Sequence, residues 1–556
     1  MKNNLFFKKS LFLVQVFTFY LFFSLISCKN SSKNDDNTKL LLLLYLVNSN
    51  QSSQTNCNLG TQVRSGSIDP LYTSQWHLDN ITNTSEDVNV TGSWALGITG
   101  KCVVVSVVDD GLEISHEDLK NNISNTIPSY NYYTKTSNPT HSVSTNSHGT
   151  SVAGIIASTA YNNLGGRGIS YDSILVGRNI LEGSSGSDIA DALTLSKADI
   201  SISNNSWGAT DYSGNYNANL ATSLWKSAIV DGITNGRNAK GILYFWAAGN
   251  GGTINSGSID VDNSNYDGQA NYYGVLAICG VGADGKRASY SEKGANLWVC
   301  GHTQGTNSGY TTAITTTDAT GNNGSNSTSS SLDLSNRNYT KYFNGTSAAS
   351  PVAAGVTALL LSKYPDLNWR DVREILAKSA RKNDSTDSDW TTNQAGYNIN
   401  HKYGFGTVDA GLILSTAATW TPITAPLITC TLSLGTGTAI SASASSVCSN
   451  MSKIEFIEIN LSSTTLAANS GKITVTLIRN YNSNPTTSSV LIEPHTCGFI
   501  SGNTFFSSTC SSLSSTIRLG SARHLGEDPR VTWGITTTGT GALSSTATLT
   551  FYGRAY

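Results

Sequence analysis

Three short stretches, each carrying one reactive side chain next to glycine, constrain this chain more than its size does. In chain order they are Val107-Val108-Asp109-Asp110-Gly111, Ser147-His148-Gly149-Thr150 and Asn344-Gly345-Thr346-Ser347-Ala348-Ala349-Ser350-Pro351. A serine hydroxyl attacks a peptide carbonyl only when an imidazole takes its proton and a carboxylate holds that imidazole in the right tautomer. Asp109, His148 and Ser347 supply those three parts, and their surroundings predict where each sits. Val103 to Val108 is an apolar, β-branched run broken only by Ser106, as expected of a strand buried in a parallel sheet. Asp109 follows at its carboxyl end, the edge at which open α/β sheets hold ligands. His148 opens the small, apolar stretch Gly149 to Ala157, which predicts a helix packed closely on the sheet. Ser347 precedes the apolar helical stretch Ala348 to Leu361, with Pro351 expected in its first turn. A serine at a helix N-terminus has backbone N–H groups aimed at a developing oxyanion.

A fourth stretch completes the set. Gly241 to Trp246 reads as another buried strand, and Ala247-Ala248-Gly249-Asn250-Gly251-Gly252 follows it. The Asn250 amide there is a candidate donor to a tetrahedral intermediate. The order Asp, His, Ser is one of three unrelated orders in which this geometry recurs, and it is the subtilisin order.

The motifs resemble those of the kexin and furin branch of the subtilases, the proprotein convertases. The resemblance rests on Asp109-Asp110-Gly111-Leu112-Glu113 with His116-Glu117-Asp118-Leu119, on Trp246 to Gly252, and on Asn265-Tyr266-Asp267-Gly268. Ser289-Tyr290-Ser291-Glu292 and Leu367-Asn368-Trp369-Arg370-Asp371-Val372 are similar too. The resemblance covers about residues 66 to 415 and implies a doubly wound parallel sheet, an α/β fold. It implies a serine endopeptidase with Asp109, His148 and Ser347 as triad and Asn250 as oxyanion donor. It further implies Asp211, after Ser206-Trp207-Gly208, and Asp267 as acids of the pocket for the residue before the scissile bond. Asp110 matches an acid that reads the residue one further back. Cleavage after paired basic residues follows, since a partly desolvated carboxylate pair is best met by a bidentate arginine. Calcium is the implied cofactor, a hard ion that takes about six to eight oxygens. Asp69, Asp118 and Asn162 with the backbone oxygens of Thr159, Leu164 and Gly166 match one site, and Asp211, Asp262 and Glu292 a second. Two departures weaken the match: Thr145 replaces an acid near the catalytic histidine, and little chain lies between Cys28 and Asp69 where convertases carry a long propeptide.

Composition narrows the setting. Only 13% of the 556 residues are charged, with a net charge of −2, which gives no argument for nucleic acid. Lys2, Lys8 and Lys9 precede an apolar run from Leu11 to Ile26, the layout of a secretory signal over residues 1–27. Leu25-Ile26-Ser27-Cys28 resembles a bacterial lipobox, which implies a lipidated Cys28, a tether over 28–65, and an exported lipoprotein held at a membrane. The other eight cysteines are an even number, compatible with disulfides. Cys430 with Cys448 and Cys497 with Cys510 are expected pairs, and proximity suggests Cys57 with Cys102 and Cys279 with Cys300.

Thr317 to Asn338, dense in Ser, Thr, Asn and Gly, reads as a mobile loop. The chain changes character near Trp420 to Pro426. Beyond it, short Thr/Val/Ile-rich segments such as Lys453 to Asn460 and Gly471 to Ile478 predict an all-β sandwich or barrel over 427–556. Ala522-Arg523-His524-Leu525-Gly526-Glu527-Asp528, with Trp533, resembles the P domain that follows the convertase catalytic domain. Two other readings stay open: a broad-specificity subtilase, and a catalytically silent lipoprotein that binds a host or matrix partner.

Overall fold

The structure, a computed structural model, describes residues 68–80, 86–216, 220–254, 259–328, 332–463, 470–501, 504–510, 516–540 and 544–555. The expected signal, lipobox and tether lie outside these residues. A seven-stranded sheet organises the first part. Its order is Tyr130–Asn131, Ile174–Asn179, Val104–Asp109, Ile202–Asn205, Leu243–Ala247, Val275–Val281 and Leu297–His302. Every neighbouring pair is parallel. Parallel strands are covered on both faces, so they need apolar residues throughout rather than alternation. Val104–Asp109 and Leu243–Ala247 accordingly are buried at every position. The long helix Thr346–Lys363 and the helix His148–Ala157 pack together against this sheet, and small residues allow the approach.

The helix at Ser347 starts two residues earlier than expected, at Thr346, which puts Pro351 in its second turn rather than its first. Proline there cannot donate to the carbonyl four residues back, that of Ser347. The Ser206 hydroxyl donates to that carbonyl instead, at 3.0 Å. The described residues of the Ser/Thr/Asn-rich stretch form turns and bends. The stretch joins the antiparallel strands Ile314–Thr317 and Tyr339–Phe343. Fully buried Asp318 gathers the N–H groups of Ala319, Ser325 and Asn326.

From Ile428 onward two four-stranded antiparallel sheets pack face to face. One runs Ile428–Gly437, Ser545–Arg554, Lys453–Ser463, Ile517–Ser521. The other runs Ala439–Ser443, Thr532–Gly539, Ile473–Arg479, Thr487–Ile492. Ile473–Arg479 buries every second residue, the pattern of a strand with one face on a core. Trp533, Phe551, Leu477 and Leu519 lie in that core.

Cys279–Cys300, Cys430–Cys448 and Cys497–Cys510 are joined as expected. Cys102 is disulfide-bonded as well, and its expected partner Cys57 lies outside the described residues. A buried chain of alternating charge links the two parts. Arg370 of the helix Trp369–Ser379 pairs with Glu455, which also meets Arg554 at 2.7 Å, and Arg554 pairs with Glu374 of the same helix. Arg370 and Arg554 are each 8% exposed, and Glu374 and Glu455 are buried with them, so each charge depends on its neighbours for solvation.

Candidate active site

The reactive groups meet where the sequence placed them, at strand ends and helix starts. Asp109 ends its strand fully buried, and its Oδ1 lies 2.8 Å from Nδ1 of His148, the first residue of its helix. Gly149 is required there, because a Cβ would stand 2.1 Å from the Gly111 carbonyl oxygen and 2.8 Å from the Asp109 Cβ. Asp110 accepts the N–H groups of His148 and Gly149, at 3.1 and 2.8 Å. Burial, reinforced by the charge of Asp109, raises the Asp110 carboxyl to about 6. Burial opposes a charge on His148, but 34% of its side chain still meets solvent. The attraction and hydrogen bond of Asp109, with the charge of Asp110, prevail and raise the imidazole to about 9.

Ser347 lies in the first turn of its helix, where its hydroxyl donates to the Ser206 carbonyl at 3.2 Å. Ser206 and Ser347 thus exchange hydroxyl-to-carbonyl bonds across the cleft. Asn250 is oriented by Thr346, whose N–H and hydroxyl both donate to Asn250 Oδ1, at 2.7 and 2.9 Å. That anchoring turns the amide NH2 away from Thr346. Gly345, at φ 79°, leaves room for this arrangement. Thr346 has no place among the sequence candidates, although its position beside the nucleophile was the available signal.

Two cavities share Ser347 and Asn250. The first, about 200 Å³, is lined by Ser206, Trp207, Gly208, Asp211, Asp267 and Glu292 among others. Asp267 Oδ2 accepts the Ala209 N–H at 3.0 Å, and Oδ1 accepts that of Gln269 at 2.6 Å. Burial raises Asp267, with these N–H groups pulling against it. The second cavity, about 410 Å³, contains His148 and is walled by Tyr212, Tyr290, Tyr342 and Phe343. These aromatic residues were not among the sequence candidates. Phe343 packs edge-on to the His148 ring at 5.2 Å. Asp110 lines neither cavity.

The residues matched to cation sites also assemble. Asp69 accepts the N–H groups of Tyr161 and Asn162, and Asp118 Oδ1 accepts the Asn162 amide at 2.7 Å. The Thr159 N–H donates to the Asp118 carbonyl, and Leu164 to Asn162 Oδ1. Gly166 lies in the same turn, next to Arg167, whose guanidinium pairs with Asp69 at 2.5 Å. Asp118 Oδ2 is buried with no hydrogen-bond partner, and burial raises that carboxyl well above its usual range. An oxygen-rich site with an orphaned carboxylate oxygen fits a hard cation. At the second cluster Asp211 accepts the Asn250 N–H, Asp262 those of Ser213 and Gly214, and Glu292 that of Gly251. Burial raises all three, Asp262 to about 7 and Glu292 well above its usual range, with their mutual repulsion adding to the rise of Asp262 and Glu292. Among the described residues no ion pair reaches any of them, so this cluster also suits a cation.

Comparison with known proteins agrees with this geometry. Neuroendocrine convertase 2 of Rattus norvegicus is 33% identical over 363 residues, 63% of this chain and 53% of that protein. Kexin of Saccharomyces cerevisiae is 35% identical over 361 residues, 64% of this chain and 40% of kexin. The chain therefore spans about half the length of these curated relatives, or less. The crystal structure of Aeromonas sobria serine protease with the chaperone ORF2 superposes with a TM-score of 0.74 at 25% identity, covering 91% of this chain and 98% of that one. Residues 100–406, which hold Asp109, His148, Asn250 and Ser347, match the subtilase family (Peptidase_S8), and the chain belongs to that family.

Proposed function

We propose that this subtilase is a calcium-dependent serine endopeptidase that cuts after basic residues, paired ones above all. The observation that carries the reading is the small cavity beside Ser347, walled by Asp211, Asp267 and Glu292. Buried carboxylates that no ion pair reaches among the described residues are costly to ionise and are relieved by a cation, and arginine brings one with a fork that matches them. The names of the convertase and kexin relatives support the same reading.

The chemistry is acyl transfer. Ser347 Oγ leaves the Ser206 carbonyl and attacks the scissile carbonyl carbon while His148, held at Nδ1 by Asp109, takes its proton. The oxyanion is met by the Asn250 amide and the Ser347 N–H; one such side-chain donor is worth about 3–4 kcal/mol. His148 then protonates the leaving amine, and a water repeats the sequence on the ester. Calcium, when bound, would supply fixed positive charge at Asp69, Asp118 and Asn162, with the carbonyls of Thr159, Leu164 and Gly166, and at Asp211, Asp262 and Glu292. The β module is read as a P domain. Export with a lipid on Cys28 is part of the proposal, supported by three disulfides. Detergent-phase partitioning that Cys28→Ala abolishes is the expected result.

The decisive assay is hydrolysis of a fluorogenic peptide ending in Arg-Arg, with calcium and with chelator. Calcium-dependent cleavage that Ser347→Ala removes is expected. A folded wild type that cleaves nothing would overturn the reading.

A further inference from the structure

We propose that the C-terminal β module is a working part of the acidic pocket. It clamps the segments that carry two of the three pocket carboxylates, Asp211 and Asp267, so selection of a cationic side chain depends on that module. The proposal rests on the reading of the acidic cavity as the site for a basic residue.

The first clamp holds residues 263–273, which carry Asp267. Asn265 Nδ2 donates to the Gly520 carbonyl at 3.0 Å, and the Gly520 N–H returns a bond to Asn265 Oδ1 at 2.7 Å. A side-chain amide thus pairs with the strand Ile517–Ser521 as a neighbouring strand would. Asn271 Nδ2 donates to the Arg518 carbonyl at 3.0 Å and to the Asn265 carbonyl at 2.8 Å. Both asparagines are buried. The Arg518 guanidinium donates to the carbonyl of Gly268, the residue after Asp267, and lies 4.8 Å over the Tyr272 ring. Its positive charge also favours the ionised form of Asp267, against the larger effect of burial.

The second clamp holds the loop that carries Asp211. His495 Nε2 lies 2.9 Å from the Gly214 carbonyl, and the Gly498 N–H donates to the Ser213 carbonyl at 3.3 Å. The Thr496 N–H donates to the Asp260 carbonyl at 2.9 Å, tying in the segment beside Asp262. The two walls are joined across the cavity by Asp267 and the Ala209 N–H.

Carboxylates discriminate between a guanidinium and an uncharged side chain only while their spacing is held, and a looseness of about 1 Å is enough to lose it. Each wall is a turn rather than a sheet strand, and each takes its outer support from the β module. The triad stands on strands and helices of the first part, so loosening the clamps separates selectivity from catalysis. Arg518 and His495 are positioning residues, neither lining the cavity.

The test uses the full chain with Arg518→Gln for one wall and His495→Phe for the other. Phenylalanine keeps a ring against Tyr266, 5.0 Å away. Matched peptides carry arginine or norleucine before the cut, and amide exchange is followed over 209–216 and 263–273. Expected are a roughly tenfold or greater fall in kcat/KM for the arginine peptide, less than about twofold change for norleucine, and faster exchange of the wall each variant frees. Arg518→Lys should recover part of the loss, since a cation remains over Tyr272. Equal changes on both peptides, or unchanged exchange at both walls, would overturn the proposal. A wild type without preference for arginine would instead defeat the basic-residue reading, and the clamp would be judged by exchange alone.

Discussion

The two cavities on either side of Ser347 solve opposite problems. The acidic one is small, closed by Trp207 and by glycine and serine backbone, and holds three carboxylates. The aromatic one has about twice the volume, contains the His148 imidazole, and is lined by no carboxylate. On the proposed reading, selection in the acidic cavity is electrostatic and demands fixed geometry. The aromatic cavity offers shape and ring contact instead, which tolerate adjustment. The walls differ in origin accordingly. The acidic residues sit on turns held from outside, whereas Tyr342 and Phe343 belong to the strand that leads directly into the nucleophile.

The largest effect should come from what the cavities share. Ser347→Ala is expected to lower kcat by about 10⁶ on every peptide, whichever side is varied, by burst and steady-state kinetics. Asp267→Asn should break the acidic side alone. Removing one partner of a buried charge pair costs about 2–5 kcal/mol, so kcat/KM for arginine before the cut should fall on the order of a hundredfold, with uncharged peptides much less affected. Phe343→Ala should act on the other side: roughly tenfold weaker turnover when a large residue follows the cut, and no change in preference before it. A peptide library varied at both positions would show whether the sides are independent.

The smallest effect expected is on pH. His148 must be neutral to act as base, and its raised value, about 9, makes activity climb as pH rises towards it. Asp110 favours the charged ring, so Asp110→Asn should lower the imidazole pKa and move the acid limb of the kcat/KM profile to lower pH, by less than about one unit. An unchanged limb would mean that Asp110 does not act on the triad.

The positions of Asp109, His148, Ser347 and Asn250 at or just after strand ends and helix starts were legible because residue type is tied there to backbone position, whereas Asp211 and Asp267, which stand on turns, came only from the family resemblance. Contacts between distant segments were not legible. Arg167 meets Asp69 across 98 residues, and Arg518 meets Gly268 across 250. A side chain that reaches a distant carboxylate or carbonyl leaves no periodicity behind. Pro351 was placed a turn too early, because helix propensity does not reveal that the Ser206 hydroxyl substitutes for its missing donor. Within the Ser/Thr/Asn-rich stretch one buried carboxylate, Asp318, collects the main-chain N–H groups of Ala319, Ser325 and Asn326. Average polarity does not report such a centre.

The buried run Arg370, Glu455, Arg554 and Glu374 bears on how the gene can change. Each part contributes one charge of either sign, so a β module grafted from another protein is accepted only if it brings a carboxylate to meet Arg370 and a guanidinium to meet Glu374. A graft of the wrong polarity would bury like charges, costing about 3–5 kcal/mol for each uncompensated ion. The two parts are thus constrained to drift together, and recombination at the linker near Pro422 joins only halves that already share this charge pattern.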